Sequence, residues 1–216
     1  VSTPSAPVEV GFADTSGSPL DVAVAGGYAY LADGYAGLRV IDVSTPSAPV
    51  EVGSVGTPGV TVGVAVAGPY AYVVAGDAGL RVVNVSNPAA PFEVGSLDTP
   101  GSFGNVAVSG EYAYVSAYHG GLRVIDVSTP SAPAEVGFAD TPGDALDVAV
   151  AGGYAYVADS NAGLRVIDVS TPSTPVEVGY VGTPGFTVGV AVAGPYAYMV
   201  AGDAGLRVVN VSNPAA

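Results

Sequence analysis

An all-β, five-bladed β-propeller is the fold this sequence predicts. Three observations predict it: a repeat of 42 residues, short apolar segments of strand length inside each repeat, and abundant Gly and Pro between them. The segment GLRVIDVSTPSAPVEVG at 37–53 has near-copies beginning at Gly79, Gly121 and Gly163 and a shortened one at Gly205, with no insertion in any step. Val and Ala supply most of a composition that is 49% hydrophobic, and the 31 glycines and 18 prolines favour extended segments and tight turns over helices. No stretch carries apolar residues at helical spacing between caps. With 216 residues the chain is long enough to bury a real core.

The elements can be justified in order within the first repeat. Residues 20–25 read as strand A, Gly26-Gly27 as a turn, 28–32 as strand B, 33–37 as a second turn and 38–43 as strand C. The proline-rich link 44–49 and strand D at 50–55 complete a four-stranded antiparallel blade, numbered from the axis outward. A blade has two apolar faces and can cover neither alone, so copies must stack around a common axis. Ala23, Ala25 and Ala29 permit close approach near that axis, while Val40, Ile41 and Val43 fill the wider periphery. Tyr28 and Tyr30, repeated in every copy, read as packing residues of strand B rather than as ligand-stacking ones.

The chain is read as a single domain, 1–216, with blades at 20–55, 62–97, 104–139, 146–181 and 188–211. Residues 8–13 are a strand D with no A, B or C before them, and the last repeat lacks its D. The count therefore predicts that 8–13 completes the last blade, a one-plus-three closure that removes open edges. A longer period complicates this. Residues 1–90 and 127–216 differ at only eleven positions: Val8/Ala134, Ser16/Pro142, Ser18/Asp144, Pro19/Ala145, Leu31/Val157, Gly34/Ser160, Tyr35/Asn161, Ala48/Thr174, Ser54/Tyr180, Val60/Phe186 and Val73/Met199. The balanced strand count favours a closed monomer, with a self-assembling piece of a longer array as the alternative.

Charge and composition exclude several classes. The net charge is −14, with one arginine per repeat and no lysine, so phosphate backbones and anionic membrane surfaces are repelled. The absence of cysteine removes disulfides and thiolate metal sites. The uncharged stretches 52–76 and 178–202 are interrupted by Gly and Pro, which suits paired strands and not a spanning helix, so no membrane insertion is expected. No initiator Met or signal peptide stands at the start, as in a processed chain or an excised piece.

The LRVIDVS strand, the P-x-x-P link and the VAVAG-x-YAYVAD hairpin, at fixed spacing over the whole chain, resemble the LVIVD repeat, a propeller-type repeat of bacterial and archaeal proteins. The resemblance implies an extracellular or cell-surface location and a binding or scaffolding role. It carries no family-wide active site. The near-identity of the copies points to recent amplification or to engineering.

Residues shared by all copies most economically serve the blade. Arg39 and its copies on strand C are expected to pair with Glu51 and its copies on strand D. Residues that differ between copies gather in the D–A links and the B–C turns, which a propeller places on one face. The ligand-binding candidates on that face are Asp21, Asn105 and Asp147 at the mouth of the innermost strands, Asp33 and Asp159 opening B–C turns, and Tyr35, Tyr118, His119 and Asn161 within them. Oxygen ligands at Asp21, Asn105 and Asp147 could hold Ca²⁺, although no contiguous Ca²⁺-loop spacing is present. No other cofactor and no catalytic residue is expected.

The leading functional reading is a non-catalytic module that binds a protein or carbohydrate ligand through the variable face. A lectin-like variant uses quasi-repeated pockets for avidity. A glycosidase would need two differentiated carboxylates, for which Asp21 and Asp147 are the one imaginable pair. Five of the six glutamates lie on strand D, which argues against an enzyme.

Overall fold

The computed structural model describes residues 5–98 and 104–214, and its regular structure is almost entirely β. Blade 1 comprises β1 (Asp21–Ala25), β2 (Tyr28–Ala32), β3 (Leu38–Asp42) and β4 (Val50–Val55). Blade 2 comprises β5 (Gly63–Ala67), β6 (Tyr70–Val74), β7 (Leu80–Asn84) and β8 (Phe92–Leu97). Blade 3 follows with β9 (Val106–Ser109), β10 (Tyr112–Ser116), β11 (Leu122–Asp126) and β12 (Ala134–Ala139). Blade 4 has β13 (Asp147–Ala151), β14 (Tyr154–Ala158), β15 (Leu164–Asp168) and β16 (Val176–Val181). Blade 5 has β17 (Gly189–Ala193), β18 (Tyr196–Val200) and β19 (Leu206–Asn210). Every sheet is an antiparallel meander in chain order, and the innermost strands β1, β5, β9, β13 and β17 pack in succession.

Each junction between blades is built alike. Tyr30, Ala32, Leu38 and Val40 of blade 1 face Val64, Ala71, Val73 and Val83 of blade 2, and the three later junctions use the equivalent residues. Leu38, Leu80, Leu122 and Leu164 are wholly enclosed there. Each such side chain contributes about 1.5–3 kcal/mol by leaving water. Tyr30, Tyr72, Tyr114 and Tyr156 are buried in the same seams, and that burial raises their hydroxyl pKa values.

The outer pair of strands carries a β-bulge in each four-stranded blade, between Val40 and Ile41 and at the equivalent places. The bulge sets Ile41 opposite Glu51 and Arg39 opposite Ser54. Arg39 then reaches Glu51 at 3.1 Å, and Arg123–Glu135 and Arg165–Glu177 close at 3.3 Å. The expected Arg–Glu pairing is thus a consequence of the bulge. Arg123 and Arg165 also lie over the rings of Phe138 and Tyr180, 4.9 Å from the centroids.

The expected closure by 8–13 is not formed. Blade 5 is three-stranded among the described residues, and 8–13 carries no strand pairing. The segment does lie against blade 1, where a Cβ on Gly11 would stand 2.3 Å from the Pro46 carbonyl oxygen. Gly53, Gly95 and Gly137 abut Pro88, Pro130 and Pro172 in the same way, at 2.1, 2.3 and 2.3 Å. A strand D is therefore held by the proline link of the following blade as well as by its own strand C. Residues 8–13 occupy the place of a strand D belonging to a blade ahead of blade 1. No helix among the described residues is long and apolar enough to cross a membrane.

Candidate functional site

The D–A links and B–C turns do share one face, and backbone hydrogen bonds stitch them from blade to blade. Gly34 pairs with Thr61, Tyr118 with Ala145 and Ser160 with Thr187. The first residue of each stitch needs a left-handed backbone. Gly34, Gly76 and Gly202 adopt it without strain, whereas Tyr118 and Ser160 hold φ of 44° and 48° despite their side chains. Two copies thus accept local strain at a position where Gly would be easier.

At the centre of this face, Asp21, Asn105 and Asp147 act as hydrogen-bond clamps between blades. Asp21 Oδ2 accepts from Val64 N at 2.8 Å, and Asp147 Oδ2 accepts from Val190 N at 2.8 Å. Asp147 Oδ1 also accepts from Asn105 Nδ2 at 2.8 Å and from Val148 N at 2.9 Å. Burial raises the Asp147 pKa, the surrounding hydrogen bonds oppose that rise, and the charge of Asp21 adds to it. The Asn105 carbonyl is turned to Val106 N, and its backbone N–H is received by Ser116 Oγ at 2.7 Å. Of the oxygens expected to ligate Ca²⁺, Asp21 Oδ2, both Asp147 oxygens and Asn105 Oδ1 accept from N–H donors. No group of three or more His, Asp or Glu side chains among the described residues is arranged to hold a metal ion.

Asp33 and Asp159, expected to present carboxylates to a ligand, are completely enclosed. Asp33 accepts from Thr15 Oγ1 at 2.9 Å and from Gly17 N at 3.0 Å, with Arg39 Nε 3.6 Å away. Asp159 repeats the arrangement with Thr141, Gly143 and Arg165. They fasten the preceding D–A link onto the blade and offer nothing to an incoming molecule.

Of the remaining candidates, Tyr35, His119 and Asn161 line two open clefts, and Tyr118, in the bridge to Ala145, lines neither of them. One, of about 490 Å³, is lined by His119, Pro142, Gly143, Asp144, Ser160 and Asn161. His119 is almost fully exposed, and its Nδ1 meets Asp144 Oδ1 at 2.5 Å. The other, of about 380 Å³, is lined by Ser16, Ser18, Leu20, Gly34, Tyr35 and Val60, with Tyr35 86% exposed. Both clefts use the D–A link and B–C turn of one blade, 4 and 1 respectively; the first adds His119 of the blade 3 turn and the second adds Val60 of the link to blade 2. Asp144, Ser160 and Ser116 were not among the residues expected here. Asp144 and Ser160 do appear among the eleven differences between the long repeats, which was the signal available for them. The part of the third D–A link at 99–103 lies outside the described residues.

Fold and face together define a β-propeller repeat protein. The LVIVD repeat profile matches residues 16–57, 58–99, 100–141, 142–183 and 184–216, and the chain belongs to the LVIVD repeat family. Among solved structures, the computationally designed Ika8 protein superposes with a TM-score of 0.73 at 12% identity, covering 91% of this chain and 59% of that one. The computationally designed Ika4 protein gives a TM-score of 0.59 at 11% identity, covering 72% of this chain and 94% of that one. At such identities the likeness is one of fold. This chain spans about three fifths of the length of the Ika8 chain. A comparison with curated proteins gives no match.

Proposed function

We propose that this chain is a non-catalytic binding and scaffolding module, displayed outside the cell or on its surface, with the D–A and B–C loop face as its contact surface. One observation carries the reading. Of the eleven positions that distinguish residues 1–90 from 127–216, Ser16, Ser18, Gly34, Tyr35 and Val60 line one cleft, and Pro142, Asp144, Ser160 and Asn161 line its counterpart. Five of the eleven differences between two copies of one framework thus fall where a ligand would touch them, more than at any other single place in the fold. The first cleft carries an exposed aromatic ring, and the second carries a carboxylate, an amide and an imidazole. Rigid blades under adaptable loops are the usual arrangement for recognition.

A catalytic reading is less well supported, because Asp21 and Asp147 each hold a backbone N–H of the neighbouring blade through Oδ2. The exposed ring of Tyr35 beside Ser16 and Ser18 favours a carbohydrate as one ligand class. The test is a glycan array probed with the chain and with Tyr35→Ala, Tyr118→Ala and Asp144→Ala variants. Binding that these variants abolish supports the assigned face. Binding that survives all three overturns it, and an empty array removes carbohydrate and leaves protein ligands.

A further inference from the structure

Among the described residues, 8–13 is a strand-D sequence without a paired strand C, and blade 5 is an A–B–C set without a paired strand D. We propose that the open edge of β19 is an interaction surface for a second copy of this chain. The second copy's residues 8–13 add there as the fourth strand, and its blade 1 covers the outer face of blade 5.

Four observations carry this. The outer face of blade 5 exposes Leu206 at 66% and Val208 at 55%, whereas Leu38, Leu80, Leu122 and Leu164 at the same position are sealed by the following blade. The outer face of blade 1 exposes Val22 and Val24; where a blade precedes them, the equivalents Val64, Val106 and Val148 of Val22 are buried and the equivalents Val66, Val108 and Val150 of Val24 are half-buried. The two faces are thus the two sides of one internal junction. Residues 8–13 are already seated on blade 1 through the Gly11–Pro46 contact, with Val8, Val10 and Phe12 exposed. Their orientation is that of a strand D awaiting its strand C.

Charge supplies the fourth observation. Arg207 and Glu9 make no ion pair among the described residues, while every other arginine in the series finds its strand-D glutamate. Joined head to tail, Arg207 meets Glu9 of the second copy and lies over Phe12, as Arg123 does over Glu135 and Phe138. The internal register transfers directly. It sets Leu206 opposite Ala13, Arg207 opposite Phe12 and Val208 opposite Gly11, following the pairing of Leu38, Arg39 and Val40 with β4. Main-chain pairing at an open edge then supplies affinity and the buried valines and leucine supply register. The contact is heterologous, so the rotation per blade decides whether copies close into a ring or run on as a filament.

The test uses the 216-residue chain, which has no cysteine of its own. Ala13→Cys and Leu206→Cys are made in separate chains and mixed under mild oxidation, and the solution mass of the parent is measured by light scattering. The expected results are a disulfide-linked pair in the mixture, a mass at a multiple of the single chain, and a shift to the single-chain mass in Val208→Arg. Val208 is exposed in the separate chain, so that variant leaves folding intact. A parent of single-chain mass overturns the proposal. So does a double Ala13→Cys/Leu206→Cys chain that links only within itself, because the closure is then internal. An oligomer that forms no cross-link, or that persists in Val208→Arg, overturns it equally.

Discussion

Asp147 receives the backbone N–H of Val190 on the neighbouring blade at 2.8 Å, and Asp21 receives that of Val64 in the same way at the first junction. These carboxylates are mortises between innermost strands. Asp147→Ala should lower stability by about 1–3 kcal/mol, because the Val190 amide and the Asn105 side chain are both left without an acceptor. Asp21→Ala strands one amide and should cost less. Thermal unfolding of both variants checks the order.

Acid dependence should divide into two opposed parts. Hydrogen bonds from the side chain and then the backbone of Ser44, Ser128 and Ser170 lower the pKa values of Asp42, Asp126 and Asp168 below the ordinary 3.8. Their contribution is complete above that value and is lost as pH falls through the lower folded-state values. Asn84 and Asn210 keep the same turn bond without a charge. A triple Asp→Asn variant at 42, 126 and 168 should therefore lose less stability between about pH 4 and pH 2 than the parent.

Asp147 works in the other direction. Burial raises its folded-state pKa above 3.8, so its contribution is fully present below that value and declines as pH rises through the raised one. Asp147→Asn should flatten that decline while keeping an acceptor oxygen. A thermal midpoint that falls with pH as steeply in the variant as in the parent would contradict this account.

Tyr118→Gly should raise stability by up to about 1 kcal/mol, because it relieves a left-handed backbone that only Gly adopts easily. The same change removes a ring from the loop face. Higher unfolding midpoint together with weaker ligand binding is the expected pair of results.

Gly137→Val should be strongly disruptive, since a Cβ there would stand 2.3 Å from the Pro172 carbonyl oxygen of the next blade. A loss of about 1–3 kcal/mol is expected from forced displacement of that link. Gly26→Ala meets no atom within 4 Å, so it reports only the positive φ of 59° and should cost about 1 kcal/mol.

The blades were legible because the sequence repeats its own punctuation. The strands read at 20–25, 28–32, 38–43 and 50–55 form at Asp21–Ala25, Tyr28–Ala32, Leu38–Asp42 and Val50–Val55. The face shared by D–A links and B–C turns followed from antiparallel order alone. Asp33 was misread because its partners Thr15 and Gly17 come from a link that folds over it, and composition does not reveal such folding. The placement of 8–13 was legible only in part: Gly11 beside Pro46 seats the segment in the strand D place ahead of blade 1, as the strand count requires, but no pairing joins it to β19. A periodic sequence states what each unit is and is silent on which neighbour completes the last one.

The glycine against each proline link has a geometric consequence for the whole repeat. It lies on the outer rim, where a small change in spacing turns into a change of angle about the axis. Gly53, Gly95, Gly137 and Gly179 let neighbouring rims close to their limit, and so keep the wedge angle per blade small. A shallow wedge needs more blades to complete a circle. Spacers at these four positions would tighten the curvature, so the smallest side chain in the repeat governs how many blades a full turn can hold.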